Sequence, residues 1–350
     1  MLKSAHLLLA LLLFAAGCSS TRRQPEKPSD WGGVEALQPA TNRPPPFIVP
    51  RPKPPVTFTE TWVAFDRWSR ANGLGKPKKK FTQPPEIFAL TTPRGTLELT
   101  AASQVARWDG MLLQLGFAPR ATNGVLFVHN LDLQKNLQPL LENFPLPPRG
   151  SRVIVIDPGH GGVNSGTRSV VDGRPEKEFT LDWARRLAPL LVTNGWTVFL
   201  TRTNDTELEL SNRVAFTEAR RADIFVSLHF NSGAPNENPA GLETYCLTPT
   251  GMPSNLLRTS EDDTSLKFNN NWHDAQNLQL AVRLHRALLA GKDRIDRGVR
   301  HARFIGVLRG QNRPAVLIEG GYLSNPDEAK QIANPAFRQK LAEAVADALK

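Results

Sequence analysis

Cysteine is nearly missing from this chain. Cys18 and Cys246 are the only two in 350 residues, so disulfides do not staple the fold, and the length instead supplies core for one large or two moderate domains. A long apolar run is missing too: the stretch over residues 7–16 is about 10 residues, half of the roughly 20 that a membrane-spanning helix needs. Acid falls short of base, with 33 Asp and Glu against 43 Lys and Arg. The resulting net charge of +10 favours anionic polymers or membrane surfaces as neighbours. Its densest basic run, KPKKK at 76–80, reads as a solvated loop, and Cys246 reads as a small buried hydrophobe.

What is present at the N-terminus is an export signal: Lys3, the short apolar run, then small residues before Cys18. LFAAGC at 13–18 resembles the lipobox of bacterial lipoproteins. That resemblance implies removal of residues 1–17, acylation of Cys18 and attachment to a membrane through that lipid, which leaves Cys246 without a disulfide partner. No aspartate follows in GCSS, a pattern similar to that of lipoproteins sorted to the periplasmic face of the outer membrane. An exported chain makes nucleic acid the wrong partner for its basic charge. Prolines, 29 in all, crowd before residue 60, and residues 18–55 are polar and without apolar periodicity. They read as a tether that at about 3.1 Å per residue reaches on the order of 100 Å.

Residues 56–144 read as a small α+β module of unassigned role. Phe58, Trp62, Phe65 and Trp68 recur at near-helical spacing and read as core, and TLELT and GVLFVHN read as strands around a helix-like VARWDGMLLQLGF. PLPPRG at 145–150 reads as a linker. From 151 to 350 the pattern is α/β, with strands expected at 152–156, 196–201, 223–230, 242–247, 302–308 and 315–320 and helices between most of them. The expected architecture is a central, mostly parallel six-stranded sheet flanked by helices. Asn194-Gly195 should close one helix, Asn325-Pro326 and Asn334-Pro335 should open two others, and Pro189 should kink or shorten the first.

Ligand sites in open α/β sheets gather where strands end. IDPGHGG at 156–162 ends a strand and mounts His160 among glycines; His229 in VSLHFNS and Glu319 in AVLIEGG hold similar positions. A helix starting near Pro175 would carry Glu176 on the stripe of Trp183, Leu187, Leu190 and Leu191, where a carboxylate needs a cationic partner. Lys177 and Glu178 fall off that stripe and read as solvated. Two imidazoles with two carboxylates on one rim match a catalytic zinc with three protein ligands and an open position, plus a separate acid/base.

The blocks DPGHGGVNSGT, PEKEFTLDWA, TRTNDTELELSNRVAFTEARRADIFVSLHFNS, GLETYCL, RGVRHARFIGVLR and PAVLIEGGYLSNPDEAKQI resemble, in order and spacing, the zinc-dependent N-acetylmuramoyl-L-alanine amidases, over about residues 152–350. The resemblance implies one Zn2+ held by His160, Glu176 and His229, and an essential Glu319. It also implies peptidoglycan as substrate, cut between the lactyl group of N-acetylmuramic acid and the L-alanine of the stem peptide. Two departures, Phe230 after the ligand histidine and Gly320-Gly321-Tyr322 after the glutamate, bear on substrate fit rather than on the metal. Arg213 matches a helix arginine of the family and reads as structural; His6, His129, His273, His285 and His301 read as incidental. The long segment 248–272, with Glu261, Asp262 and Asp263, reads as a surface excursion or as a gate or dock for a protein activator. Rival readings are an inactive wall-binding lipoprotein on the same scaffold and another zinc-dependent peptidase or deacetylase.

Overall fold

Alternating apolar residues between Trp62 and His129 produce short antiparallel strands: β1 (Trp62–Ala64), β2 (Lys78–Phe81), β3 (Ile87–Thr92), β4 (Gly95–Thr100), β5 (Val105–Trp108), β6 (Met111–Gln114), β7 (Arg120–Thr122) and β8 (Val125–His129). The computed structural model describes residues 57–81, 83–143, 145, 151–257, 262–291 and 294–350, so the signal, tether and Cys18 readings lie outside the described residues, as do His6, Glu261 and residues 146–150. VARWDGMLLQLGF is not helical. Asp109 and Gly110 both have positive φ, 50° and 84°, and this Asp-Gly pair turns β5 into β6 as a hairpin. Nor is the aromatic stripe one helix: Trp62 lies in β1, while Phe65 and Trp68 are buried on the short helix α1 (Phe65–Ala71). The lysine run is an edge strand, β2, in which Lys79 pairs with Glu86 and Lys80 with Glu98.

The second stretch supplies β9 (Val153–Pro158), β10 (Thr197–Leu200), β11 (Ile224–Asn231), β12 (Leu242–Cys246), β13 (Asp296–His301) and β14 (Ala315–Tyr322). They pair in the order β10-β9-β11-β14-β12-β13, parallel throughout except β12 against β14. This is the mixed α/β architecture expected, with one strand displaced: ARFIGVL at 302–308 forms a turn and the start of a helical turn, and the fifth strand is DRGVRH at 296–301. The displaced strand carries charge at Asp296, Arg297 and Arg300 and only one large apolar residue, Val299, which hid it from an apolar-run reading.

The sheet does not stop there. β13 also pairs with β6 through Val299 and Leu113, so the six strands run on into β6-β5-β4-β3-β2. Asp296 Oδ2 accepts the Leu112 N–H at 2.7 Å, and Asn255 Nδ2 donates to the Leu115 carbonyl at 2.8 Å, across the same seam. Met252 is buried against Gly116, where a Cβ would come within 2.3 Å of its Cγ. The first part of segment 248–272 is therefore sewn into the fold rather than loose on its surface. Asp262 pairs with Arg303, and that guanidinium also donates to the carbonyls of Pro249 and Met252.

Helices α2 (Asn130–Asp132) and α3 (Gln138–Leu141) close the first stretch; α4 (Glu176–Thr193), α5 (Leu210–Ala219), α6 (Asp274–Leu289), α7 (Gly306–Arg309), α8 (Pro326–Ala333) and α9 (Pro335–Ala348) belong to the second. Asn325 and Asn334 accept backbone N–H bonds as N-caps before their N1 prolines, and Asn194-Gly195 ends α4 with Gly195 at φ 84°. Pro189 does not shorten α4, which keeps 18 residues with the proline on its exposed side. α4 packs on β9, β10 and β11, α6 on β12, β13 and β14, and α9 touches both helices. No helix among the described residues is long and apolar enough to cross a membrane.

Candidate metal centre at the sheet rim

Side-chain alternation decides which residues face the cleft. Phe230 and Gly320 point into the helical layer: Phe230 is 1% exposed, its ring 5.4 Å from that of Trp183, and a Cβ on Gly320 would sit 2.9 Å from Phe230 Cε1 and 2.9 Å from Trp183 Cζ3. Their neighbours His229 and Glu319 therefore face the opposite way, and parallel register sets the two side by side. Phe230 and Gly320 are a matched pair, a large ring filling the space of a missing side chain. The two departures from the family pattern at these positions pack in the core, on the face opposite His229 and Glu319.

Glu176 opens α4 and is 3% exposed. Its Oε1 accepts the Phe230 N–H at 3.0 Å and lies 2.9 Å from His229 Nδ1; its Oε2 accepts the Thr167 N–H at 3.1 Å and lies 3.0 Å from His160 Nε2. Burial acts to raise the Glu176 pKa, but the bonds from His160 and His229 outweigh it and bring the carboxyl down to about 2. Burial lowers the His160 pKa, and the hydrogen bond to Glu176, the charge of that carboxylate and the bond to Asn164 together outweigh it, raising it. The three ligand atoms of His160, Glu176 and His229 lie within 4.8 Å of one another. They fit a divalent ion of borderline softness: two imidazoles, one carboxylate, and an outer partner in Asn164 Oδ1, 2.8 Å from His160 Nδ1, which fixes the tautomer that frees Nε2.

The loop bearing His160 is held from beneath by two buried arginines. Arg213 on α5 donates to Asp157 Oδ1 at 2.6 Å, to the Pro158 carbonyl at 3.0 Å and to the His160 carbonyl at 2.7 Å. Arg202 donates to the carbonyls of Pro158 and Gly159 and to that of Lys177 at the head of α4. Arg213 thus has the structural role expected of it; Arg202 and Asn164 were not singled out by sequence. Lys177 is not solvated: its Nζ donates to the Gly162 carbonyl and pairs with Asp205 at 2.6 Å. Close approach explains two glycines, since a Cβ on Gly159 would come within 2.3 Å of His229 Cε1 and one on Gly166 within 2.5 Å of Glu176 Oε2.

Among the described residues, the remaining histidines stand apart from this centre. His285 bridges Thr244 Oγ1 and Asp296 Oδ1, and burial lowers His301 to about 4.

A family model described as N-acetylmuramoyl-L-alanine amidase matches residues 154–350, the stretch that carries this rim. The chain belongs to that family. Amidase AmiA of Escherichia coli strain K12 is 29% identical over 219 residues, covering 57% of this chain and 75% of that protein. Amidase AmiC of Neisseria meningitidis is 31% identical, covering 58% of this chain and 54% of the relative, and LytC of Bacillus subtilis is 30% identical over 57% and 35%. The chain therefore spans between about a third and three quarters of the length of these relatives. A crystal structure of an N-acetylmuramoyl-L-alanine amidase from Clostridium difficile 630 aligns with a TM-score of 0.48 at 29% identity, covering 57% of this chain and 95% of that one. The family match begins at residue 154, so the module over β1–β8 takes no role from it.

Proposed function

We propose that this family member is a zinc-dependent peptidoglycan hydrolase that cuts the amide between the lactyl group of N-acetylmuramic acid and L-alanine, with His160, Glu176 and His229 as metal ligands and Glu319 as general base and acid. The observation that carries the reading is the convergence of the three ligand atoms within 4.8 Å at a rim where Glu319 stands in register with His229. Zinc supplies Lewis acidity at such a centre, lowering the pKa of water toward about 7 and polarising a carbonyl. Glu319, half-buried at the end of β14, takes a proton from the attacking water and returns it to the leaving nitrogen. With an ion bound, Glu176 would stay ionised, because the cation and the backbone N–H groups of Thr167 and Phe230 stabilise its anion.

The export signal and the lipobox-like LFAAGC support a second part of the proposal: acylation at Cys18 holds the enzyme on the periplasmic face of the outer membrane, and residues 18–55 let it reach the wall. The test of the chemistry is mass spectrometry of digests of isolated cell wall. Zinc-loaded protein should release stem peptides that begin at L-alanine, and Glu319→Gln should lower that release by about 100-fold or more while keeping one zinc per chain. Products that keep the lactyl–alanine bond, or a fully active Gln variant, would overturn the assignment; metal binding without release of any product would point to a wall-binding protein.

A further inference from the structure

Next to Glu319 the cleft face carries a second charged group that the reaction above does not use. Glu243 on β12 is the direct antiparallel partner of Glu319 on β14, so both side chains leave the sheet on the same side. Glu243 is 1% exposed and takes four donors. Its Oε1 accepts Arg297 Nε at 2.6 Å and Arg300 Nη1 at 2.7 Å; its Oε2 accepts Asn231 Nδ2 at 2.9 Å and Tyr245 Oη at 2.7 Å. Burial acts to raise its pKa, and the Tyr245 and Arg297 hydrogen bonds with the charge of Arg300 outweigh that and lower it. Glu243 is therefore an anion with two guanidinium partners.

The two arginines are not equivalent. Arg300 is the more enclosed, with 17% of its side chain exposed, and it reaches the Asn255 carbonyl with its second terminal nitrogen. Arg297 is 33% exposed and donates to Glu243 only through Nε; among the described residues no hydrogen bond engages its two terminal nitrogens. Its guanidinium lies 5.1 Å from the ring centre of Tyr322, three residues past Glu319 on β14, which puts the open fork on the same rim. Glu328 lies within its electrostatic reach, but the two Glu328 oxygens accept the N–H groups of Gly241 and Tyr322. A fixed, partly desolvated guanidinium with two parallel donors open to a cleft is a carboxylate receptor.

Reach selects which carboxylate. β13 stands two strand spacings from β14, roughly 10 Å. A peptide leaving the scissile amide at Glu319 advances about 3.5 Å per residue, so the acid group of the second stem residue comes within span of an arginine side chain. We propose that Arg297, positioned by Glu243, reads the free carboxylate of the stem residue that follows L-alanine, and so separates stems that carry it from stems in which it is amidated. This inference rests on the amidase reading above.

The experiment uses zinc-loaded full chain and two muramyl peptides that differ only in whether the second residue's carboxyl is free or amidated. Wild type should show a kcat/KM for the free acid about tenfold to a hundredfold above that for the amide, the size of one charge-assisted pair, expressed in KM rather than in kcat. Arg297→Gln should bring the ratio toward one, and Arg297→Lys, which keeps the charge but not the fork, should fall between. A role confined to neutralising Glu243 would lower both substrates together and leave the ratio in place. Equal rates on the two substrates by wild type would overturn the proposal without any variant having to fold, and cleavage of neither would sink the amidase reading instead.

Discussion

Gly166 offers the sharpest test of how the metal site is built. It sits at φ +65°, and a Cβ there would fall 2.5 Å from Glu176 Oε2, 2.7 Å from His160 Cδ2 and 2.8 Å from Glu176 Cβ. Ordinary contacts need about 3.5 Å, so Gly166→Ala must push two ligands away by roughly 1 Å, several times the ~0.2 Å that metal–ligand distances tolerate. The backbone itself adds a penalty, since an alanine in the left-handed region costs about 1–2 kcal/mol. Gly173→Ala separates the two effects: that glycine has φ +70° and nothing within 4 Å of its Cβ position, so it has the strain without the clash. We expect Gly173→Ala to lower unfolding free energy by about 1 kcal/mol and to keep its metal. Gly166→Ala should lose zinc about 10- to 100-fold more readily to a competing chelator, with activity falling in step. The assay is zinc content after dialysis against graded chelator, beside urea unfolding of the metal-free proteins. Equal zinc retention in the two variants would refute the idea that this loop is glycine because the ligands crowd it.

Two further outcomes follow from buried groups away from the metal. Arg213→Met leaves the buried Asp157 carboxylate without its cation, which should cost about 3–5 kcal/mol near neutral pH. Burial acts to raise the Asp157 pKa, but the charge of Arg213 and the hydrogen bonds from Thr201, Arg213 and Ser227 together outweigh it and hold it below the usual carboxylate value; the pair's contribution is therefore present above about pH 4 and lost as pH falls further. Urea melts of both proteins at pH 7 and pH 3.5 should show the gap narrowing in acid, and a pH-independent gap would contradict the pairing. Cys246 is 1% exposed and burial pushes its thiol pKa upward, so native protein should resist iodoacetamide and take up one label there only when unfolded; rapid native labelling would contradict its burial.

Why some of this could be read from residues alone is itself physical. The four groups on the rim stand at positions where local rules would place apolar or turn residues, so each polar choice signalled a site. His160 and the strand-end His229 and Glu319 were legible because strand ends are short and sharply marked; Glu176 was legible because helix periodicity has a known phase. β13 was not, since its DRGVRH pattern meets charge on one side and the seam on the other. The same is true of Glu243, Arg297 and Arg300. A buried carboxylate in LETYC is stabilised by residues some 54 positions later, a pairing that only the register of β12 and β13 brings about. The β5–β6 hairpin was missed for a different reason: its Asp-Gly turn carries a local signal that the apolar spacing of the flanking strands outweighed.

The metal loop shows what the surrounding fold is for. His160 itself has φ +62°, a conformation that a non-glycine residue holds only when its neighbours over-determine it. Here the carbonyls of Pro158, Gly159 and His160 all accept from buried guanidinium groups of Arg202 or Arg213, and Arg213 is fixed in turn by Asp157, which Thr201 and Ser227 also hydrogen-bond. Arg202 reaches the Lys177 carbonyl as well, so one side chain ties the His160 loop to the first turn of α4, where Glu176 begins. Two of the three proposed ligands are thereby referenced to one rigid cation, and the third, His229, is fixed by the sheet itself. A site assembled from a loop, a helix start and a strand end keeps sub-ångström order only if the loop is clamped to the other two, and these two arginines are that clamp.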